Sequence, residues 1–124
     1  MSVPILKLGP MLIASLQSSL SDDEWVRFRD ELLRKSGLPG IRASIVDLTA
    51  MDVIDSYASR SLRDLVQMLR LRGVQAVIVG IQPEVAFSMA QLGLNLPDVI
   101  TALDLEEALE FLKLSPWGGG GGRA

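Results

Sequence analysis

From Met11 onward the chain alternates short apolar runs with stretches of helical period. Ala43–Leu48, Ala76–Val79 and Val99–Thr101 are three to six residues long and rich in Val and Ile. Each is followed by a segment whose apolar residues recur three or four positions apart. Strand–helix alternation of this kind implies right-handed crossovers and a mostly parallel sheet. Two further apolar runs, Val3–Leu8 and Met11–Leu16, open the chain with Gly9-Pro10 between them. That pair reads as a hairpin. The expected order is β-β-α-β-α-β-α-β-α: an α/β fold with a mixed, mostly parallel sheet, an N-terminal antiparallel hairpin and four flanking helices.

Local signals place the helix ends. Ser21-Asp22-Asp23-Glu24 has capping-box spacing. Its hydroxyl can accept from the N3 amide, and its Glu can reach back. Trp25, Phe28, Leu32 and Leu33 would face the core. Arg34, Lys35, Gly37 and Pro39 mark the end. Thr49–Ile54 is a loop. The second helix is expected from Asp55 or Ser56 to about Arg72, burying Ala58, Leu62, Leu65, Val66 and Leu69, with Ser59, Arg60, Arg63, Asp64, Gln67 and Arg70 largely elsewhere. Pro83 suits the first turn of a third helix with Val85, Ala86, Met89 and Leu92 on its inner face. Asn95–Asp98 is a loop containing Pro97. Asp104, with Glu107 at N3, opens the last helix. Residues 1–114 make one domain, and 115–124, with five consecutive glycines, are expected to be a flexible tail.

Composition removes many functions. There are no Cys and no His among the 124 residues. A thiol nucleophile, a Cys or His zinc site and a Ser-His-Asp triad are therefore excluded. The net charge of −3 argues against nucleic acid. No apolar run approaches the about 18 residues that span a bilayer, and the start lacks signal-peptide character. The expectation is a cytoplasmic protein without a cofactor, in which an enzyme stays possible only through carboxylates, Lys or a bound metal.

The remaining chemistry centres on the segment around Asp47. An Asp at a strand end can accept phosphate, as in receiver domains, but the accompanying acidic residues and the late Lys are absent. Asp47, Asp52 and Asp55 could gather round a hard cation; as separate turn and cap formers they need none. Ser56 has two readings. Ser and Asp are preferred N-caps. A helix N-terminus also presents a hydroxyl to a kinase and tolerates the phosphate added there. That phosphate brings about −1.5 to −2 charge beside Asp52 and Asp55.

Val46-Asp47-Leu48-Thr49 followed by Met51-Asp52-Val53-Ile54-Asp55-Ser56 resembles the signature of STAS domains, the sulfate-transporter and anti-sigma-factor-antagonist family. Pro4–Leu8, Val79–Ala86, Leu92-Gly93-Leu94 and Thr101–Leu109 resemble the RsbS-like scaffold subunits of bacterial stressosomes within it. The resemblance covers about residues 3–113. It implies a non-catalytic subunit that dimerises and co-assembles with RsbR-like STAS subunits into a large hetero-oligomer. It also implies sequestration of an RsbT-like serine/threonine kinase, release on phosphorylation, resetting by an RsbX-like phosphatase, and control of a general stress response. Ser56 falls on the phosphoacceptor serine, and Thr49 on a second phosphosite of RsbR-like subunits. Asp52, Asp55, Ser56, Ser59 and Arg60 are the expected partner-binding residues. Stand-alone antagonists often read Asp-Ser-Ser-Gly here, whereas Tyr57-Ala58 follow Ser56 in this chain; that alternative stays open.

Overall fold

The structure is a computed structural model that describes residues 3–93 and 99–113. Five strands form one sheet in the order β1-β2-β3-β4-β5. The hairpin β1 (Ile5–Leu8) and β2 (Met11–Ser15) is antiparallel, with Leu8 opposite Met11 across the Gly9-Pro10 turn. Gly9 holds φ +58° there, a conformation glycine adopts without steric cost. β3 (Ala43–Asp47), β4 (Gln75–Val79) and β5 (Ile100–Ala102) follow in parallel.

Sequential strand order has a direct consequence for the helices. Right-handed crossovers between neighbours all land on the same face. α1 (Asp22–Ser36), α2 (Ser56–Leu71) and α3 (Pro83–Gln91) accordingly share one core with Leu12, Ala14, Val46, Ala76 and Ile78 of the sheet. α4 (Leu105–Lys113) leaves the last strand and covers the opposite face. There Ala108 and Leu112 pack with Ala43, Ile45, Val77 and Val79. The central strands are thus buried on both sides, which explains their unbroken apolar runs.

The helix ends are built as their sequences require. Ser21 Oγ accepts from Glu24 N–H at 3.1 Å, and Glu24 Oε1 accepts from Ser21 N–H at 2.8 Å. Asp104 Oδ1 accepts from Glu107 N–H at 2.8 Å, while Glu107 reaches back to Leu103 N–H at 2.7 Å. Trp25 meets Phe28 edge-on, with ring centroids 6.1 Å apart. Buried hydroxyls of Ser36 and Ser44 bond each other at 3.1 Å and tie α1 to β3.

Two expectations need correction. α3 buries only Val85 and Met89, whereas Ala86 is exposed and Leu92 is 44% exposed. The helix connects β4 to β5, and β5 is a three-residue edge strand, so the sheet offers little surface at that end to cover it. On α2, Ser59 is fully buried. Its spacing of three, seven and ten residues from Leu62, Val66 and Leu69 puts it on the core stripe. Leu94, the 95–98 loop and the tail at 115–124 lie outside the described residues. Among the described residues no helix is long and apolar enough to cross a membrane.

Candidate functional site

Parallel strands place their following loops at one edge of the sheet, and the segment from Asp47 to Ser56 lies there. Its backbone is pinned from both sides. Leu48 N–H donates to Val79 O, and Met51 N–H to Leu48 O, both at 2.9 Å. Leu48, Met51 and Ile54 are buried, so the loop is anchored by three apolar side chains. Between these anchors Asp52 and Val53 face solvent, and Asp55 and Ser56 follow them outward.

Each acidic residue in the segment has its own bond. Asp47 Oδ1 accepts from Thr49 N–H at 2.9 Å and from the Thr49 hydroxyl at 2.6 Å. Asp52 Oδ1 accepts from the Ser18 hydroxyl at 2.7 Å. Asp55 is the N-cap of α2, its Oδ1 accepting from Ala58 N–H at 2.8 Å. The three carboxylates therefore serve a turn, an inter-loop link and a cap. No group of three or more metal-ligating side chains gathers among the described residues.

With Asp55 as the cap, Ser56 is the first residue of α2. It is exposed, and its hydroxyl makes no hydrogen bond among the described residues. Thr49 differs: its residue is exposed, but its hydroxyl is held by Asp47 and its carbonyl accepts from Gln82 Nε2 at 2.7 Å. Gln82 is the N-cap of α3 yet makes no side-chain cap bond, because its amide braces this neighbouring loop. Gly80, at φ +74°, packs so closely on Thr49 that a Cβ would overlap the Thr49 hydroxyl.

Two grooves flank the first turn of α2. One, of about 150 Å³, runs between α1 and α2 and is lined by Trp25, Arg29, Tyr57, Arg60 and Asp64. The other, of about 190 Å³, lies against the β2–α1 loop and is lined by Ser18, Ser19, Trp25, Val53 and Asp55. Ser19 holds φ +73°, the one non-glycine residue in the left-handed region among those described.

The STAS domain model matches residues 3–108. The chain belongs to the STAS family. Among solved structures, a serine-to-glutamate variant of RsbS from Moorella thermoacetica superposes with a TM-score of 0.79 at 33% identity, covering 90% of this chain and 94% of that one. A chain in a structure of the stressosome, a signal integration and transduction hub, gives 0.78 at 33% identity, covering 89% and 96%. The RsbT co-antagonist protein RsbRB of Bacillus subtilis (strain 168) is 30% identical over 67 residues. That match takes in 54% of this chain and 24% of RsbRB, so the chain spans about a quarter of that relative.

Within this STAS domain the expected site residues divide into two groups. Asp52, Asp55, Ser56 and Arg60 come together on an exposed surface around the start of α2. Ser59 does not join them: it is 0% exposed, and its Oγ has no hydrogen-bond partner among the described residues. Its side chain points into the core and offers nothing to a docked protein. Ser18 is the residue that sequence reasoning missed. It lies 34 positions from Asp52, beyond the reach of any local pattern.

Proposed function

We propose that this STAS protein is a non-catalytic stressosome scaffold subunit that sequesters an RsbT-like serine/threonine kinase in the cytoplasm. It co-assembles with RsbR-like subunits and releases the kinase when Ser56 is phosphorylated. An RsbX-like phosphatase resets the site. The observation that carries the reading is Ser56 itself: an exposed residue whose hydroxyl makes no hydrogen bond among the described residues, on a firmly anchored helix start between Asp52 and Arg60.

Transfer forms a bond between Ser56 Oγ and the γ-phosphorus of ATP and breaks the bond to the β–γ bridging oxygen. ADP leaves, and the hydroxyl proton passes to a base of the kinase. The scaffold contributes only the hydroxyl. The product adds about −1.5 to −2 charge beside Asp52 and Asp55. A partner fitted to the unmodified surface then meets like-charge repulsion and unfavourable desolvation.

The test is incubation with an RsbT-like kinase and ATP, followed by mapping of the modified residue by mass spectrometry. Phosphate on Ser56 is expected, and labelling elsewhere with Ser56 empty would sink the proposal. S56A should retain the kinase, and S56D should bind it more weakly. Mixing with an RsbR-like partner should give a large particle on size-exclusion chromatography. A small complex there, with the Ser56 switch intact, would instead indicate a stand-alone anti-sigma factor antagonist.

A further inference from the structure

Arg60 stands four residues after Ser56 on α2. Positions i and i+4 of a helix are surface neighbours, with Cβ atoms about 5–6 Å apart. An anion placed N-terminal to a cation at this spacing is the favoured orientation. Nearby cations are already engaged: Arg29 Nη2 lies 2.9 Å from Asp30, and Arg63 Nε 3.8 Å from Asp64. Arg60 is exposed and forms no ion pair or side-chain hydrogen bond among the described residues. It lines the α1–α2 groove beside Tyr57, the residue directly after Ser56.

We propose that Arg60 is the intramolecular partner of a phosphate on Ser56. The pair withdraws the Arg60 guanidinium from the docking surface as the negative charge arrives. This rests on the phosphorylation of Ser56 proposed above. It deepens that reading, because the switch then has two components. One negative group appears, and one free positive group, available to a carboxylate of the docked kinase, is consumed. A guanidinium suits this role through its planar set of donors, which can meet two phosphate oxygens at once.

The test needs no kinase for its first arm. Phosphoserine is incorporated site-specifically at position 56 of the full chain, and its second ionisation is followed by phosphorus NMR. The charged and titratable groups around position 56 are Asp52 and Asp55 just before it, Tyr57, Arg60 and Asp64 on α2, and Arg29 across the groove on α1. All except Arg60 are common to the parent and R60Q. The midpoint in the parent should lie below that in R60Q by roughly 0.15–0.4 pH units, the scale of an exposed i,i+4 pair. The gap should close in about 1 M salt. R63Q should leave the midpoint where the parent has it. Coincident titrations of parent and R60Q would overturn the pairing, as would an equal shift in R63Q.

The second arm compares kinase affinity with and without the phosphate. Phosphorylation should cost the parent a larger factor than it costs R60Q, and equal factors would overturn the withdrawal of Arg60. A phosphate that changes neither affinity, together with a shifted titration, would overturn the sequestration reading while the pair itself stands.

Discussion

Ser18 and Asp52, 34 residues apart, exchange two hydrogen bonds. The Ser18 hydroxyl donates to Asp52 Oδ1 at 2.7 Å, and Asp52 N–H donates back to Ser18 Oγ at 3.0 Å. One hydroxyl thus closes the gap between the β2–α1 loop and the loop that leads to Ser56. The link joins the opening loops of two successive crossovers, β2–α1–β3 and β3–α2–β4.

Removing either end should loosen that link. S18A and D52A are each expected to lower stability by about 0.5–1.5 kcal/mol, the net value of a hydrogen bond. The double variant should cost less than the sum of the two. Urea denaturation of the four proteins measures the coupling, and strict additivity would show that the two side chains do not act together.

Ser59 offers a prediction of opposite sign. A buried hydroxyl without a partner loses hydration and gains nothing in return. S59A should therefore leave the protein equally stable or more stable by up to about 1 kcal/mol, read from the same denaturation midpoints. A loss of several kcal/mol would mean that the hydroxyl carries a structural bond.

Gly80 should tolerate no side chain. G80A sets a Cβ against the Thr49 hydroxyl at a backbone with φ +74°. The left-handed conformation costs a non-glycine residue about 1 kcal/mol or more, and the overlap adds to it. A drop in thermal midpoint together with loss of protection of the Thr49 amide in hydrogen exchange is the expected outcome. T49S should not rescue G80A fully, because the backbone strain remains.

Glu24 gives the protein a specific acid response. The hydrogen bond that it accepts from the Ser21 backbone N–H is the largest cause holding its carboxyl below the usual 4.5. A group whose pKa is lower in the folded state stabilises above its unfolded pKa. That contribution is lost as pH falls through the folded value. Stability should therefore rise with pH across this window, and E24Q should flatten the rise. Denaturation midpoints between pH 3 and pH 6 test the slope.

Much of the architecture was legible from local chemistry. The Ser21–Glu24 box, the Gly9-Pro10 turn and the Val/Ile runs of β3 and β4 each carry their cause within a few residues. The inner stripe of α2 was legible too, apart from Ser59. A serine among core positions looks polar by type, although its spacing from Leu62 and Val66 marks it as internal. α3 was read as more deeply buried than it is, because periodicity reveals which residues share a face and not how much of that face a neighbour covers. Around Ser56, capping preference left Asp55 and Ser56 as alternative caps, and the bond from Ala58 N–H to Asp55 Oδ1 decides for Asp55. The Ser18–Asp52 and Gln82–Thr49 bonds did not show, since each joins segments that only the parallel sheet brings side by side.

The exposed position of Ser56 has a consequence for how often the protein can be used. Its hydroxyl makes no hydrogen bond among the described residues, so attaching a group there would break none of those bonds, and removing it would require none to re-form. Under the phosphorylation proposed for Ser56, each cycle would leave the hydrogen bonds of the described residues as they were.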